Sequence, residues 1–363
     1  MKSLDFLIIG AGFSGSVIAN QLHLTGKRIL VIEKRDKIGG NCNDDYDQYG
    51  ILIHQYGPHY FRTNNQKVFD YVSKFTKWRP YEYKIRTCVN GNLFPFPINL
   101  DTINKFFNVN LKNKKEVIAF LNRKKIPIDD PQNAEEQVLA NFGPELYEAF
   151  FKNYTIKQWK TNPKNLDRSV TARIPIRYDR NEKYFNERIQ AMPRDGYHVL
   201  FENLLDGIDV RLNTDYKDIK NEINYKNLIY TGPIDEFFDY KHGNLPYRSL
   251  KFEFEHYEQE FYQDWVQVNY PNDHEYTRIV EIKHATGQKI DSTTIVKEYP
   301  ADEGPRFYPI PSPEIRAIVQ KYQEEIDQLE NTYFIGRLAT YRYLNMDQVV
   351  AEALELAEKL KDK

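Results

Sequence analysis

Three glycines near the amino terminus share one short segment of the chain. Gly10, Gly12 and Gly15 form a GxGxxG motif directly after an apolar segment, residues 4–9, and at the start of a helical pattern, residues 17–24. In such a turn the first glycine permits a tight bend, the second lets the backbone approach a pyrophosphate, and the third lets helix and strand pack closely. The phosphate is then bound by amides at the helix N-terminus. The spacing therefore predicts a dinucleotide-binding turn.

An acidic residue and a second glycine pair follow the next apolar segment. Residues 28–32 predict a second strand, and Glu33 closes it at about the distance at which a carboxylate accepts hydrogen bonds from a ribose. The run EKRDKIGGN then places Gly39 and Gly40 just before Asn41. A glycine pair after the ribose-binding acid resembles the two-dinucleotide-binding-domain flavoproteins. FAD is therefore the favoured cofactor, and NAD is the minority alternative.

The overall composition excludes several classes of function. The 363 residues contain 50 Lys and Arg against 52 Asp and Glu, and the formal net charge of −2 gives no general electrostatic reason to bind nucleic acid. A hydrophobic share of 41% supports a large core and excludes intrinsic disorder, and the length suggests about two domains. Most of the aromatic residues, 14% of the chain, are expected in cores.

Neither a membrane segment nor a metal cluster is expected. No apolar run approaches the ~18 to 20 residues that span a bilayer, and the amino terminus leads into the glycine turn without a cleavage site, so we expect a cytoplasmic protein. Cys42 and Cys88 are too few for a disulfide framework and lack the clustered Cys and His spacing of a metal site. We expect reduced thiols.

Three later zones differ in their periodicity. Residues 94–153 show helix-type spacing with polar breaks, which is typical of an inserted helical subdomain. Residues 249–297 alternate β-branched and aromatic residues with Asn, Asp and Gly breaks, which favours antiparallel strands. The carboxyl-terminal zone reads as a strand, then Gly336 and Arg337, then a loop and an amphipathic helix. In flavoproteins such a late glycine returns to the cofactor, so both ends of the chain are expected to build one FAD site.

Ten stretches along the chain resemble the UDP-galactopyranose mutase family of the bacterial type. They occur in the family's order and are IHQYGPHYFRTNN (53–65), FPINL (96–100), ELYEAFFKNYTIKQW (145–159), RIPIR (173–177), YFNERIQAMP (184–193), YTGPIDEFFDY (230–240), YRSLKFEFE (247–255), YTRIVEIKH (276–284), FYPI (307–310) and GRLATYRYLNMDQ (336–348). A set that covers nearly the whole chain is more specific than any single motif.

The expected fold class is α/β, with a discontinuous Rossmann-like FAD-binding domain, an inserted helical domain and an antiparallel β-sheet domain. The expected ranges are 1–78, 193–240 and 325–363 for the FAD-binding domain, 100–170 for the helical domain with a mobile lid after it, and 79–99, 171–192 and 241–324 for the sheet domain.

The resemblance implies a non-redox isomerisation that requires reduced FAD. Family members interconvert the pyranose and furanose forms of a UDP sugar. The flavin N5 attacks the anomeric carbon, UDP leaves, the flavin–sugar adduct opens as an iminium, and the sugar recloses through another hydroxyl. This is covalent catalysis by the cofactor, to which the protein adds orientation and charge. The resemblance also implies a homodimer and a role in furanose supply for cell-surface polysaccharides.

The resemblance further assigns roles to individual residues. Two arginines that hold the UDP pyrophosphate, a histidine beside the flavin and a tyrosine hydroxyl are the expected catalytic residues: Arg173, Arg278, His59 and Tyr343. The expected substrate-binding residues are Arg62, Phe150, Phe151, Thr155, Trp159, Tyr184, Asn269 and Tyr308. The expected cofactor-binding residues are Gly10, Gly12, Phe13, Ser14, Gly15, Glu33, Lys34, Gly40, Asn41, Arg337, Met346 and Asp347. For Phe150 a core position is a nearly equal alternative.

Several positions depart from the family pattern, Arg62 and Tyr83 among them. Arg62 stands in FRT where most members have FHT, and it adds a permanent cation with five donors beside the expected sugar site. Members that act on both UDP-galactose and UDP-N-acetylgalactosamine carry arginine there, so we expect dual specificity. The alternative is that Arg62 pairs with an acidic neighbour and leaves specificity unchanged. Tyr83 replaces a common uridine-contacting asparagine.

Two other functions stay open. An amine-oxidase-like FAD oxidoreductase shares the FAD domain but acts with oxidised flavin and makes a product at a higher oxidation level. A catalytically silent UDP-sugar-binding protein is the other alternative, and the presence of Arg173, Arg278, Tyr308 and Tyr343 argues against it.

Overall fold

The structure is a computed structural model that describes residues 3–310 and 312–363. Residues 1, 2 and 311, which the expected domain ranges include, lie outside the described residues. In chain order the strands are β1 (Leu4–Ile9), β2 (Ile29–Ile32), β3 (Asp44–Tyr46), β4 (Leu52–His54), β5 (Phe61–Thr63), β6 (Trp78–Pro80), β7 (Ile85–Val89), β8 (Asn92–Phe96), β9 (Ile189–Pro193), β10 (Asp209–Arg211), β11 (Tyr225–Tyr230), β12 (Tyr247–Tyr257), β13 (Gln267–Asn269), β14 (Arg278–Val280), β15 (Thr293–Ala301), β16 (Tyr308–Pro309) and β17 (Thr332–Phe334).

The α-helices vary from single turns to four turns. In chain order they are α1 (Phe13–His23), α2 (Gln66–Val72), α3 (Leu100–Phe107), α4 (Lys114–Lys124), α5 (Ala134–Phe142), α6 (Pro144–Leu146), α7 (Asn153–Trp159), α8 (Ser169–Ala172), α9 (Gly196–Leu204), α10 (Tyr216–Ile219), α11 (Ile234–Phe237), α12 (Lys283–Thr286), α13 (Pro313–Ile326) and α14 (Met346–Leu360). A π-helical turn (Tyr147–Lys152) joins α6 to α7, and Gly40–Cys42 and Pro163–Asn165 are 3₁₀ turns.

A five-stranded parallel sheet positions the cofactor motifs. Its order is β10, β2, β1, β11 and β17, and its central strands are short apolar runs, as expected for strands buried on both faces. In the register of the sheet, Ile9 lies beside Ile32 and Tyr230, and Tyr230 lies beside Phe334. The carboxyl ends of four strands therefore meet at one edge. In open α/β sheets, ligands bind at this edge.

Helices α1 and α14 pack against each other beside this sheet. Val17, Ile18 and Leu22 of α1 and Val350 and Ala353 of α14 are buried. The predicted strand, turn, helix and strand at the amino terminus are confirmed, although α1 begins four residues before the predicted helix. The predicted amphipathic carboxyl-terminal helix is also confirmed.

A seven-stranded sheet has the order β16, β12, β15, β14, β13, β7 and β8. Its strands pair antiparallel except for β13 and β7, which are parallel. The expectation of helix from residue 94 is wrong for Phe94, which lies in strand β8. Asn90 and Gly91 both have positive φ, +51° and +73°, and make the tight turn that returns β8 onto β7.

The helical zone follows β8, and its helices begin at asparagines. The side chains of Asn99, Asn113 and Asn133 accept hydrogen bonds from the first turns of α3, α4 and α5. The run predicted as one helix from α5 onward is interrupted at Gly143, whose φ is +85°. A Cβ on Gly143 would lie 2.4 Å from the Lys124 carbonyl oxygen, so the chain bends where α4 approaches.

Two small sheets complete the architecture. Strands β3 and β4 form a hairpin, and β5, β9 and β6 form a three-stranded antiparallel sheet. The predicted α/β class with a Rossmann-like part and an antiparallel sheet is confirmed, while the exact domain boundaries stay predictions. Among residues 3–310 and 312–363, no helix is long and apolar enough to cross a bilayer. The same residues contain no cluster of His, Cys, Asp or Glu suited to a metal ion.

Candidate active site

The glycine turn connects β1 to α1. Gly10 follows β1 with a φ of +100°, and α1 begins directly after Gly12. A Cβ on Gly15 would lie 1.9 Å from the Gly10 carbonyl oxygen, so only glycine lets α1 pack this closely on the turn. Gly12 has no side chain to cap the helix, and no acidic residue lies in its first turn. The N-terminus of α1 is therefore suited to bind an anion.

Two other glycine segments close around this turn. A Cβ on Gly40 would lie 3.0 Å from the Cα of Gly12, and a Cβ on Gly336 would lie 2.5 Å from Ser14 Oγ. The three segments form a cradle lined by backbone, because a side chain at Gly15, Gly40 or Gly336 would meet its neighbours. A surface lined by backbone fits the pyrophosphate of FAD. We call these segments the glycine cradle. Both ends of the chain contribute to it, as the sequence predicts.

Glu33 is fixed at the end of β2. Its Oε2 accepts a hydrogen bond from the Ala11 N–H at 2.9 Å, and its Oε1 accepts one from the Arg35 N–H at 3.0 Å. The side chain is buried, and each oxygen keeps a lone pair for a ribose hydroxyl. The position therefore suits the predicted ribose contact.

Arg35 is a candidate that the sequence analysis missed. Its Nη2 donates to Asn41 Oδ1 at 3.0 Å, and its guanidinium carbon lies 4.2 Å from the ring centroid of Tyr56. Its Nη1 is buried and has no partner among the described residues. An unpaired buried donor beside the glycine cradle fits an anionic cofactor. The available signal was its place in EKRDKIGGN, two residues after Glu33.

The remaining predicted cofactor residues have varied surroundings. The Phe13 side chain is buried in the core, whereas Lys34 is exposed. Met346 Sδ lies 3.5 Å from the thiol of Cys42, which belongs to the same segment as Gly40. Asp347 lies in the first turn of α14, where its charge complements the helix dipole. Direct cofactor contacts of these residues stay predictions.

His59 lies between β4 and β5 and is neutral. Its Nδ1 is 2.8 Å from the Gly57 carbonyl, which only accepts, so Nδ1 carries the proton and Nε2 is left as an acceptor. Its backbone N–H donates to His54 Nδ1 at 3.0 Å. Burial, reinforced by His54, lowers the pKa of His59 to about 3. The neutral imidazole expected beside the flavin is thereby available.

Four residues form what we call the phosphate cluster: Arg173, Arg337, Tyr308 and Tyr343. The guanidinium carbons of Arg173 and Arg337 lie 5.1 Å and 4.9 Å from the ring centroid of Tyr343, and the Tyr308 ring stacks on Tyr343 at 5.9 Å. Tyr343 is 45% exposed, so the cluster faces an opening to solvent. Two cations and two hydroxyls at one opening suit a pyrophosphate.

The charges of the cluster act on its hydroxyls. Desolvation raises the pKa of Tyr343, but the charges of Arg173 and Arg337 outweigh it, and the pKa lies below the usual value. Desolvation, followed by Tyr343 itself, raises the pKa of Tyr308. The two tyrosines therefore differ in acidity although their rings stack.

Arg337 connects the phosphate cluster to the glycine cradle, because it directly follows Gly336. Its guanidinium donates to the carbonyl oxygens of Phe307 at 3.3 Å and Leu344 at 2.6 Å. These bonds hold the loop between β17 and α14. Its predicted contact with the FAD pyrophosphate stays a proposal.

Arg278 lies on β14 between Asn269 of β13 and Glu298 of β15. Its Nη2 lies 2.7 Å from Glu298 Oε2, and that carboxylate is 1% exposed. Desolvation lowers the pKa of Arg278, but Glu298 raises it, and the net pKa is well above the usual value. The Nε of Arg278 is buried without a partner among the described residues. Glu298 was not a predicted site residue, because only the sheet register places it beside Arg278.

The predicted uridine residues lie on the π-helical turn and on α7. Thr155 and Trp159 lie one turn apart on α7, and both are buried. Trp159 belongs to a small apolar cluster on which Tyr308 packs. Tyr154 was not predicted, although it lies in the matching stretch. Burial raises its pKa to about 12, and the charge of Arg278 opposes this shift, so Tyr154 also lies beside the substrate residues.

Two adjacent phenylalanines of the π-helical turn lie in the core. The Phe150 ring lies 5.4 Å from the rings of both Phe94 and Phe106 and is 2% exposed, which are the contacts of a core residue. The Phe151 ring lies 5.7 Å from that of Phe96. The core alternative given for Phe150 fits these contacts.

Tyr184 belongs to an aromatic group with Tyr83, and their ring centroids lie 5.4 Å apart. Its N–H donates to the Tyr83 carbonyl oxygen at 2.8 Å, and the Tyr83 ring stacks on Tyr60 at 4.0 Å. The Tyr83 hydroxyl donates to Gln267 Oε1, and Gln267 Nε2 donates to Asn269 Oδ1 at 2.7 Å. Tyr83 thus connects to Asn269 through one glutamine.

Arg62 has partners within the protein. It forms an ion pair with Glu187, and its Nη2 donates to Asn345 Oδ1 at 2.9 Å. Its guanidinium carbon lies 4.0 Å from the ring centroid of Phe185. The acidic neighbour that the alternative interpretation required is therefore present, and dual specificity stays a prediction.

Comparisons with known proteins identify the family of this chain. The family model described as UDP-galactopyranose mutase matches residues 149–343, and that of the NAD(P)-binding Rossmann-like domain matches residues 8–75. A probable UDP-galactopyranose mutase from Klebsiella pneumoniae is 40% identical over 99% of this chain and 95% of its own length. A dTDP-fucopyranose mutase from Escherichia coli is 36% identical over 97% of each chain.

Solved structures show the same fold. A crystal structure of a reduced UDP-galactopyranose mutase superposes with a TM-score of 0.79 at 17% identity and covers 99% of this chain and 94% of its own. The matched family region contains Arg173, Arg278, Tyr308 and Tyr343. From the full-length similarity and the family match, the chain belongs to the UDP-galactopyranose mutase family.

Proposed function

We propose that the protein interconverts UDP-galactopyranose and UDP-galactofuranose with reduced FAD and without net oxidation. The observation that carries this proposal is the junction between the glycine cradle and the phosphate cluster. Gly336 lies against Ser14 of the glycine turn, and the next residue, Arg337, lies against Tyr343. This arrangement suits a dinucleotide and a nucleoside diphosphate in neighbouring sites.

The residues of the chain bind and orient the reacting groups. Bound and reduced FAD supplies the nucleophile for the anomeric carbon. Arg173 and Arg278 hold the UDP pyrophosphate through charge-assisted hydrogen bonds, both when UDP leaves and when it returns. The hydroxyls of Tyr308 and Tyr343 donate to the same phosphate oxygens. Neutral His59 adds an acceptor nitrogen without adding charge.

We also propose that the protein is a cytoplasmic homodimer that supplies furanose sugars for cell-surface polysaccharides. The family resemblance supports this proposal. Size-exclusion chromatography with light scattering tests the oligomeric state, and a mass of twice that of the chain is expected. A monomer at micromolar concentration would contradict the proposed dimer.

Product analysis tests the reaction. Purified protein is incubated with UDP-galactofuranose, with and without dithionite, and the products are separated by chromatography and weighed by mass spectrometry. We expect UDP-galactopyranose of unchanged mass only under reduction. An amine-oxidase-like enzyme would instead act with oxidised flavin and yield a product at a higher oxidation level.

Two further substrates test how selective the enzyme is among nucleotide sugars. UDP-N-acetylgalactofuranose tests the dual-specificity hypothesis for Arg62. Conversion of UDP-galactofuranose alone would contradict that hypothesis. A dTDP-fucofuranose substrate is included because one relative is a dTDP-fucopyranose mutase. We expect slower conversion of the dTDP sugar than of the UDP sugar.

A further inference from the structure

Helix α7 is too short to hold its own position. It has seven residues, and helices shorter than about 12 residues are marginal in water without tertiary contacts. A π-helical turn precedes it, and Lys160, whose φ is +51°, ends it. The contacts of α7 with the rest of the protein therefore decide where its predicted substrate residues, Thr155 and Trp159, lie.

The ammonium of Lys157 joins α7 to the loop between β13 and β14, which we call the 270–277 loop. Its Nζ donates to the carbonyl oxygens of Tyr270 and Asp273, both at 2.7 Å. Burial lowers the pKa of Lys157 to about 8, and the charge of Asp273 opposes this shift. The ammonium is therefore charged at pH 7, and charged donors form the stronger hydrogen bonds.

Two weaker bonds join the same segments. Asn153 Nδ2 donates to Asn272 Oδ1 at 3.0 Å, and Asn272 Nδ2 donates to the Ala149 carbonyl oxygen at 2.9 Å. Both bonds are exposed to water, whereas the bond from Lys157 to Tyr270 is partly buried. Water competes more effectively for the exposed bonds, so Lys157 is the main polar link between α7 and the loop.

The 270–277 loop is the fixed partner in this contact. The Tyr270 N–H donates to the Thr277 carbonyl oxygen, and the Thr277 N–H donates to the Glu298 carbonyl oxygen, both at 2.8 Å. The flanking strands β13 and β14 lie inside the seven-stranded sheet, and Arg278, directly after the loop, is held by its ion pair with the Glu298 side chain. Loss of the lysine bonds would therefore displace α7 and leave Arg278 in place.

Helix α7 also lies beside the residues proposed to bind phosphate. The charges of Arg278 and Arg173 both oppose the rise in the pKa of Tyr154, which belongs to α7. Tyr308 of the phosphate cluster packs on the apolar cluster that contains Trp159. A nucleoside diphosphate whose phosphates lie at the phosphate cluster can therefore reach α7 with its nucleoside half.

We propose that Lys157 is a positioning residue, which holds α7 where it binds the nucleoside half of the substrate and takes no part in phosphate binding. This role rests on the proposed mutase function and its UDP-sugar substrate. Carbonyl oxygens of the protein occupy two of the three N–H donors of Lys157, so the residue acts through α7. Nucleoside contacts are the same before and during the reaction, so their loss raises KM and leaves kcat unchanged.

The test compares two ligands of the full-length oxidised holoenzyme at pH 7. UDP is titrated by isothermal calorimetry, and inorganic pyrophosphate is measured by its competition with UDP. In Lys157→Met, which keeps the length of the side chain but loses the ammonium, we expect the Kd for UDP to rise about tenfold and that for pyrophosphate to stay within about twofold. Lys157→Arg keeps donors for both carbonyl oxygens, so its Kd for UDP should lie within about threefold of that of the wild type.

Steady-state kinetics with UDP-galactofuranose gives a second measurement, and Lys105 supplies a matched control. In the reduced enzyme, Lys157→Met should raise KM about tenfold and leave kcat within about twofold. The Nζ of Lys105 donates to the Leu93 carbonyl oxygen at 2.9 Å and joins α3 to β8, and neither element contains a predicted substrate residue. Lys105→Met should therefore change neither the Kd for UDP nor KM. Flavin content shows whether each variant is folded.

The outcomes separate the role of Lys157 from the mutase proposal. A higher Kd for UDP alone, restored in Lys157→Arg, supports the positioning role. An unchanged Kd for UDP in Lys157→Met, or an equal rise for pyrophosphate, overturns that role and leaves the mutase proposal intact. If Lys157→Met loses its flavin, Lys157→Gln, which keeps a donor, takes its place with the same expectations. A wild type that does not bind UDP would overturn both proposals, whereas UDP binding without turnover would overturn the mutase proposal alone.

Discussion

The guanidinium carbon of Arg173 lies 5.1 Å from the ring centroid of Tyr343, although 169 residues separate the two in sequence order between α8 and α14. Arg173 directly follows α8, and Tyr343 lies in the loop before α14. Arg173 and Tyr343 thus come from different parts of the chain to face the same opening of the phosphate cluster. The proposed pyrophosphate site depends on this approach.

Replacement of Arg173 by alanine should lower kcat/KM for UDP-galactofuranose by about 100-fold, because a charge-assisted hydrogen bond to the leaving group is worth about 2–3 kcal/mol. Steady-state kinetics of the reduced enzyme checks this. Arg180→Ala is the control, since Arg180 is 67% exposed and pairs with Asp101. Equal activity of the two variants would refute the assignment of Arg173.

Tyr343 should give the reaction an alkaline limit. Its hydroxyl donates only while it is protonated, and its pKa lies below the usual tyrosine value because Arg173 and Arg337 outweigh desolvation. The kcat/KM profile should therefore fall as pH rises toward, but before reaching, about 10. In Tyr343→Phe this limb should disappear and the activity should be lower throughout. Persistence of the same limb in the variant would show that another group titrates.

The stability of the protein should depend on pH through His198. Its ring Nδ1 lies 2.8 Å from the buried Asp44 carboxylate, and the hydrogen bond to Asp44 raises the pKa of His198 above its usual value. This contribution is complete below the unfolded pKa of about 6.5 and is lost as pH rises through the folded pKa. Denaturant unfolding should therefore show a decrease in stability over that window.

The variant His198→Gln removes the titrating group. Its free energy of unfolding should be lower than that of the wild type at pH 6, and the difference should shrink as pH rises. A difference that stays constant from pH 6 to pH 9 would contradict the ionic part of this contact.

Gly15 should be required for a folded cofactor site. In Gly15→Ala, the new Cβ would meet the Gly10 carbonyl oxygen at 1.9 Å, and this backbone atom cannot move without opening the turn. We expect a loss of bound FAD, measured by flavin absorbance, and a loss of about 1–3 kcal/mol in stability. Gly26→Ala is the control for stability loss alone, because its φ of +80° disfavours alanine while a Cβ there meets nothing within 4 Å, so this variant should keep its FAD. Full FAD content in Gly15→Ala would contradict the proposed geometry of the cradle.

Local patterns in the sequence predicted the elements of the cofactor site well. The sequence signals for the strand, glycine turn and helix at the amino terminus lie within residues 4–33, and α3 and α4 start at asparagines that cap them. The helix predicted from residue 94 failed because the Asn90 and Gly91 turn folds β8 back onto β7. The turn formed by Asn90 and Gly91 outweighed the helix-type spacing of the apolar residues that follow it.

The contacts of the candidate site were less accessible from the sequence. The partners of Arg62 and Arg278 are Glu187 and Glu298, and each pair forms only after distant strands align. No periodicity in a single sequence encodes such a pairing. Family resemblance supplied the arginines, whereas their carboxylate partners required the structure.

A crystal structure of the reduced holoenzyme with UDP bound tests the proposed pyrophosphate site most directly. We expect the pyrophosphate to lie within hydrogen-bond distance of Arg173 and the Tyr343 hydroxyl, on the side of the phosphate cluster that faces the flavin. UDP bound elsewhere, for example in a cavity bordered by Tyr81 and Arg188, with Arg173 and Tyr343 free of phosphate, would contradict this expectation.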